Sequence, residues 1–100
     1  MLEIKTIEEF NSGLFIFSAS WCGPCKLLTA FLQENEQRLN EIGLELYKID
    51  MDSDVGEELF SQLSIRSVPT LVYKSGENTQ ILNKPYDESL FEALDIMHNG

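Results

Sequence analysis

Cys22 and Cys25 are the residues of this sequence whose type and spacing could do chemistry. They are its two cysteines, and they lie in the stretch W-C-G-P-C-K at residues 21–26. On a helix, side chains three positions apart are neighbours, with Cβ atoms roughly 5–6 Å apart. A disulfide needs Cα atoms about 4.4–6.8 Å apart, so this pair could join and part with little movement of the backbone.

The expected position of the pair adds reactivity. A helical pattern begins near Pro24, and proline costs little in the first turn because its missing N–H would be unpaired there anyway. A thiol at a helix N-terminus faces free N–H groups and the positive end of the helix dipole. Both lower the pKa of such a thiol below the ~8.5 of a free cysteine. The stretch therefore predicts a reversible dithiol switch.

The elements that must position this stretch alternate along the chain. The run Leu14–Phe17 is continuously apolar, which is typical of a strand covered on both faces. Apolar residues at helical spacing predict a helix over residues 22–40, with Gly43 as its exit; they are Leu27, Leu28, Phe31, Leu32 and Leu39. The other predicted strands are at 2–5, 44–50, 70–73 and 79–82. The other predicted helices are one at 7–11 with a capping box at Thr6 and Glu9, one at 58–63 after a capping arrangement at Asp54, and a last one capped by Asp87.

This order predicts an α/β fold. Its first half implies parallel strands joined by right-handed helical crossovers, and its second half closes with an antiparallel hairpin and a helix. A length of 100 residues predicts one domain over residues 1–100 with a single modest core.

Composition narrows the class of protein. A formal net charge of −10 gives no reason to expect nucleic acid or an anionic membrane as partner. No apolar run approaches the roughly 20 residues of a membrane helix, and Met1–Lys5 lacks a secretion pattern. We therefore expect a cytoplasmic protein, in which a C-x-x-C pair is more often catalytic or metal-binding than a stable structural disulfide.

Other interpretations of the same residues stay open. Cys22 and Cys25 could be inert buried side chains, or half of a zinc site that only a dimer would complete, since zinc usually takes four ligands. Trp21 could belong to an ordinary core, and Pro69 could simply interrupt a strand edge. His98 is expected at the surface, where the C-terminal end of a helix favours it.

Taken together, the motif and the element order resemble the thioredoxin family. The stretch Trp21–Lys26 matches that family's active-site hexapeptide, and Val68-Pro69-Thr70 stands where the family has its cis-proline. The resemblance implies a mixed central sheet of four to five strands with helices on both faces. It also implies a site at the carboxyl end of a central strand, where ligands of open α/β sheets bind.

The resemblance further implies a role for each residue of the site. Cys22, the more exposed cysteine, would attack a disulfide, and the more buried Cys25 would resolve the mixed disulfide. Trp21 would present apolar surface to an incoming polypeptide, and cis-Pro69 would present the backbone of Val68 to an extended segment. The remaining implied positions support the turn or contact substrate: Gly23, Pro24, Lys26 and Thr70.

Two departures from the family pattern stand out. Many members have a buried aspartate six residues before the first motif cysteine, where this chain has Ile16, so Lys48 lacks the carboxylate that pairs with it elsewhere. We therefore expect slower deprotonation of Cys25 and an altered redox potential. Lys48 could itself act as a base when desolvated, or extend its ammonium into water. The second departure is the stretch 83–87, where the family commonly has a glycine in the groove wall and this chain has none. Tyr86 of this stretch is expected to narrow the substrate groove.

These features predict a cytoplasmic, monomeric protein disulfide reductase without a cofactor or metal of its own. Its partners would be disulfide-bearing proteins and the flavin-dependent thioredoxin reductase that the family implies. The alternatives are a reductant dedicated to one partner enzyme, a non-catalytic thioredoxin-like adaptor and a dimeric metal-binding protein.

Overall fold

A five-stranded mixed sheet runs through the centre of the protein, which we describe from a computed structural model covering residues 1–100. The strands are β1 (Leu2–Glu3), β2 (Ser12–Ser18), β3 (Leu46–Asp50), β4 (Thr70–Ser75) and β5 (Asn78–Ile81). The helices are α1 (Gly23–Glu34), α2 (Glu36–Ile42), α3 (Asp54–Gln62) and α4 (Ser89–Asn99), with a 3₁₀ turn at Ile7–Glu9. None of these helices has both the length and the apolar character needed to cross a membrane.

Strand β2 occupies the middle of the sheet, in the order β1-β3-β2-β4-β5. It runs parallel to β3 and antiparallel to β4, and the β4–β5 hairpin closes the sheet. The predicted α/β architecture is therefore confirmed, including the parallel first half. All four side chains of the run Leu14–Phe17 are fully buried, as expected for a strand covered on both faces.

Alternation along β2 divides the core between the two faces of the sheet. Leu14 and Ile16 pack in one cluster with side chains from α1, α2 and α4. Phe15 and Phe17 pack in the other cluster with Val55 and other residues of the α3 side. Because successive side chains of a strand point to opposite faces, this one strand holds both layers of helices against the sheet.

The predicted helix over residues 22–40 is wrong in one respect, because it is two helices. The backbone at Asn35 leaves the helical conformation (φ −112°, ψ 16°), so α1 ends at Glu34 and α2 begins at Glu36. The Asn35 side-chain amide donates to the Phe31 carbonyl oxygen at 2.8 Å. Asparagine side chains compete for backbone hydrogen bonds in this way. The apolar periodicity of the sequence does not reveal a break of one residue, because the apolar positions continue on both sides of it. Gly43, the predicted exit, caps α2 with a φ of +103°.

Other boundaries differ by short distances. The predicted helix at 7–11 is only a 3₁₀ turn over Ile7–Glu9, and β2 begins at Ser12, two residues before the predicted apolar run. In the predicted capping box, a Glu9 carboxylate oxygen accepts from the Thr6 N–H at 2.9 Å. That bond and a stronger one from the Lys5 N–H lower the pKa of Glu9.

Capping at the two later helices also differs from the prediction. The cap of α3 is Ser53, whose Oγ accepts from the Gly56 N–H at 3.0 Å, and Asp54 is the first helical residue. Helix α4 begins at Ser89, whose hydroxyl and N–H both donate to Asp87 Oδ1 and thereby lower the pKa of Asp87. The N-cap of α3 therefore lies one position before the predicted Asp54, and that of α4, Glu88, lies one position after the predicted Asp87.

His98 is not the free surface residue that the sequence predicted. It is half-buried, and its Nδ1 lies 2.9 Å from the hydroxyl of Tyr73. Tyr73 is only 2% exposed, so this contact satisfies a buried phenol. A Cβ added at Gly43 would lie 3.3 Å from the His98 ring. The partner is 25 residues away in sequence, which is why helix-end reasoning did not identify it.

Candidate active site

The cysteine pair lies at the carboxyl end of β2, where the chain turns into α1. Cys22 is the N-cap residue of α1, and its Sγ accepts from the Cys25 N–H at 3.1 Å. The two residues form a disulfide with Cα atoms 5.3 Å apart, within the range that unstrained disulfides use. No group of three or more His, Cys, Asp or Glu side chains in the structure is placed to hold a metal ion. The geometry is that of a dithiol pair at a helix N-terminus.

Both cysteines are buried in a small cluster. Cys22 is 5% exposed and Cys25 is 2% exposed, so Cys22 is the more exposed only by a narrow margin. Ala19 completes the cluster, and Met51 and Val68 pack against it. Met51 was not identified from sequence, although it follows β3 directly and its N–H donates to the Ser18 carbonyl oxygen. Its position just beyond a strand parallel to β2 is the signal that could have found it.

Two large apolar side chains beside the pair face solvent. Trp21 is 66% exposed, so its interpretation as an ordinary core residue is wrong. Leu27 is 76% exposed, which corrects its predicted place in the buried stripe of the helix. Leu28 and Leu32 face the sheet, and Leu27 lies about 100° around the helix axis from Leu28. Two apolar surfaces therefore flank the motif.

The loop before β4 completes this side of the site. The Val68–Pro69 peptide bond is cis, as the resemblance implied. Thr70 is buried, and its Oγ1 donates to the Ser67 carbonyl oxygen at 2.7 Å, which holds the loop in place. A groove of about 460 Å³ lies between this loop and α1, and its lining includes Pro24, Leu27, Phe31, Pro69, Pro85 and Tyr86.

Comparison with known proteins identifies the family. The family model described as Thioredoxin matches residues 5–95. The chain belongs to the thioredoxin family. It is 40% identical over 92 residues to the thioredoxin of Bacillus subtilis, covering 87% of this chain and 85% of that protein. Family membership, with a cysteine pair at disulfide distance, makes this protein a thiol–disulfide oxidoreductase.

Two further comparisons give the breadth of the likeness. Thioredoxin O2, a mitochondrial protein of Arabidopsis thaliana, is 31% identical over 84 residues. That alignment covers 73% of this chain but only 52% of the plant protein. Thioredoxin f2 of Chlamydomonas reinhardtii superposes with a TM-score of 0.80 over 100% of this chain and 98% of that one, at 19% identity. This last likeness shows the shared thioredoxin fold.

Tyr86 lines the groove of this thioredoxin-family protein. Its hydroxyl accepts from the Leu71 N–H at 3.2 Å and donates to the Leu82 carbonyl oxygen at 2.8 Å. Partial burial raises the pKa of Tyr86, and the bond from Leu71 opposes that rise. The hydroxyl therefore ties the segment before α4 to β4, while the residue as a whole forms part of the groove wall.

The other flank of α1 carries the first departure from the thioredoxin pattern. Ile16 is fully buried and lies opposite Lys48 in the parallel register of β2 and β3. Lys48 is half-buried and takes part in none of the ion pairs of the structure. A polar cleft of about 200 Å³ lies between α1 and the sheet, and its lining includes Ser18, Cys25, Lys26, Thr29, Gln33 and Lys48. Lys48 therefore shares a cleft with Cys25, and Ile16 does not line it.

Proposed function

We propose that this protein is a protein disulfide reductase in which Cys22 attacks and Cys25 resolves. The observation that carries this assignment is the N-cap position of Cys22, whose Sγ accepts the Cys25 N–H at 3.1 Å. In the reduced protein this donor and the helix N-terminus favour the thiolate, which is the nucleophilic form. Cys25 lies one turn inside the helix and is the less accessible of the two.

The reaction proceeds through two exchanges. The Cys22 thiolate attacks one sulfur of the target disulfide, forming a mixed disulfide and releasing the other target sulfur as a thiolate. The Cys25 thiolate then attacks Cys22 Sγ, which forms the Cys22–Cys25 disulfide and releases the second target thiol. Two electrons pass from the cysteine pair to the target. The Cα separation of 5.3 Å supports closure without large backbone movement.

We propose that an extended segment of the target binds along the groove. The exposed Trp21 provides apolar surface beside Cys22, and Val68 offers its backbone next to cis-Pro69. Thr70 acts indirectly, because its hydroxyl is committed to the loop. The supporting positions are then Gly23, Pro24, Lys26 and Tyr86, of which Gly23 has open space around its Cα.

The proposal extends to partners and setting. Residues 1–100 would act as one domain, as a monomer, and as a carrier of electrons from a flavin-dependent thioredoxin reductase to disulfide-bearing proteins. We place the reaction in the cytoplasm, without nucleic-acid or membrane partners and without a bound cofactor. The bacterial relative and the absence of a membrane-spanning helix are consistent with this setting. Relatives named as mitochondrial show that the same fold also works elsewhere.

One observation favours a second candidate, a reductant dedicated to one partner enzyme. Ile16 fills with hydrocarbon the buried position where many family members have a carboxylate. A slow proton step at Cys25 would be tolerated where one partner supplies a good leaving thiol, because exchange is faster when the leaving thiol has a low pKa.

Insulin reduction in the presence of dithiothreitol tests the reductase against the non-catalytic adaptor. We expect the wild-type protein to accelerate the reaction, and Cys22→Ser to react no faster than dithiothreitol alone. Thermal unfolding of both proteins controls for folding. A wild-type rate equal to that of Cys22→Ser would contradict the reductase. Metal analysis of the purified reduced protein addresses the dimeric metal-binding alternative, which requires a stoichiometric metal ion.

A further inference from the structure

Ser18 is the residue with an unexplained polar atom. Its Oγ is the buried side-chain oxygen of the structure that has no hydrogen-bond partner, although the residue is only 2% exposed. Buried hydroxyls nearly always have a partner, from protein or from ordered water. Ser18 is the last residue of β2, four positions before Cys22. Its unpartnered hydroxyl therefore lies within the active-site region.

The polar cleft beside α1 is where this hydroxyl could find a partner. Ser18 and Lys48 line it from the sheet, and Cys25, Thr29 and Gln33 line it from successive turns of α1. A volume of about 200 Å³ is enough for several waters, each of which occupies about 30 Å³ in the liquid. The lining offers hydroxyl, amide and ammonium groups, so water is suited to it.

We propose that Ser18 is a positioning residue for the proton of Cys25. Its hydroxyl holds a water in the cleft, and that water takes the proton that Cys25 loses before it attacks the mixed disulfide. The proton passes to solvent, and the departing target thiolate takes one proton from solvent, so the exchange balances. Lys48 favours the Cys25 thiolate by its charge. This inference rests on the proposed resolving role of Cys25.

The charges around the cleft agree with this assignment. Lys26 and Lys48 line it directly. The carboxylates on the same side of the sheet have other partners: Glu3, opposite Lys48 in β1, accepts from Lys5 Nζ at 2.8 Å, and Asp50 accepts from the Asp52 N–H at 2.9 Å. With Ile16 in place of a carboxylate, no acidic side chain lines the cleft. Hydroxyl groups and water are the neutral groups of this cleft that can relay a proton, and Ser18 Oγ is the buried hydroxyl oxygen without a partner.

Alkylation of Cys25 by iodoacetamide, measured against pH in the Cys22→Ser background, tests the proposal. Adding Ser18→Ala is expected to raise the midpoint pH of Cys25 alkylation by about 0.5–1 pH unit and to slow alkylation at pH 7 by about three- to tenfold. The reason is that hydrogen bonds to a thiolate stabilise it, and this variant loses the hydroxyl that holds the hydrogen-bonding water. Ser61→Ala, which removes an exposed hydroxyl on α3, away from the cleft, is the control and should leave both values unchanged. Lys48→Met should raise the midpoint in the same direction.

A Ser18→Ala profile that overlays that of Ser61→Ala would overturn the proposal. Ser18→Thr keeps the hydroxyl and should restore the Cys22→Ser profile, which a purely structural role for Ser18 would not require. If neither Ser18 variant folds, Lys48→Met is the deciding variant. An unchanged alkylation midpoint in Lys48→Met would show that the cleft does not influence the Cys25 thiol. The assay contains no protein substrate and no turnover, so its outcome is independent of the insulin result.

Discussion

The two flanks of α1 differ in size, polarity and the cysteine they serve. The groove of about 460 Å³ is lined mainly by apolar side chains, among them the exposed Leu27. The cleft of about 200 Å³ is lined mostly by polar side chains, together with Ala19 and Ala30, and reaches Cys25. One helix therefore separates the side we assign to target recognition from the side we assign to proton transfer. Residues on one flank can therefore differ from the family pattern without disturbing the other flank. This separation explains how the motif can be intact while position 16 holds isoleucine in place of the family's carboxylate.

Cys25 lines the cleft, and removing its thiol should have the largest effect. In Cys25→Ser, Cys22 can still attack a target, but the mixed disulfide cannot be resolved from within the chain. We expect turnover to fall by about a thousandfold or more, on the scale of losing a catalytic nucleophile.

The accumulated adduct can be measured by non-reducing electrophoresis and mass spectrometry, with Cys22→Ser as the control that forms none. The captured targets also separate the two candidate functions. Many different targets indicate a general reductase, and a single recurrent one indicates a dedicated reductant. Undiminished turnover in Cys25→Ser would contradict the resolving role.

Ile16→Asp tests the side of α1 that we assign to proton transfer. A carboxylate near Lys48 would provide the missing base, so reduction at neutral pH should become about tenfold faster. The fully buried position should also make the variant less stable by about 3 kcal/mol, because a buried polar group loses hydration. Stopped-flow rates and urea unfolding give the two values. Ile16→Asn is the matched control, polar but unable to titrate, and an equal rate in both variants would refute the proton argument.

Leu27→Ala tests the groove flank. If targets cover this side chain, its loss should raise KM for a protein disulfide about three- to tenfold with little change in kcat, since burying a leucine contributes about 1.5–3 kcal/mol at most. Ile96→Ala removes a side chain of similar exposure on α4, away from the groove, and serves as the control. Equal KM values for the two variants would show that the groove does not bind targets through Leu27.

Tyr86→Phe should mainly affect stability. It leaves the Leu71 N–H and the Leu82 carbonyl without their partner, which costs about 1–3 kcal/mol. Burial raises the pKa of Tyr86, so the neutral phenol is favoured in the folded protein. Its contribution is complete below the unfolded pKa of about 10 and is lost as pH rises through the folded value.

Urea midpoints between pH 7 and pH 11 provide the measurement for this residue. Wild-type stability should decrease in the alkaline range more than that of Tyr86→Phe. Tyr47→Phe is the control, because that ring stacks on Phe15 with centroids 5.0 Å apart and its hydroxyl forms no hydrogen bond in the structure. Parallel alkaline decreases in all three proteins would argue against the role of Tyr86.

Sequence reasoning succeeded where the signal is local. The motif, the buried run Leu14–Phe17 and the closing hairpin depend on neighbouring residues, and the structure has all three. Sequence reasoning failed where a side chain's environment depends on residues far away in the sequence. The contact between His98 and Tyr73 and the packing of Met51 on the cysteines arise only when strands and helices meet.

The polar cleft was also beyond prediction from sequence. Its residues come from β2, β3 and three turns of α1, and Ser18 has no distinguishing local pattern. The exposure of Leu27 depends on which face of α1 meets the sheet. The apolar stripe of five residues did not settle whether Leu27 or Leu28 faces the sheet, because neighbouring residues lie about 100° apart around the helix axis.

The central place of β2 has a consequence for how the protein opens. Its backbone is hydrogen-bonded to β3 on one side and to β4 on the other, so amide hydrogens of Leu14–Phe17 should exchange with solvent only when the whole chain unfolds. A few residues later, Gly23 lies exposed in the first turn of α1, where N–H groups have no helical partner and should exchange fast. The reactive sulfurs therefore lie between a strand expected to exchange slowly and a helix start expected to exchange fast, so the first turn of α1 can move during a redox cycle while β2 stays closed.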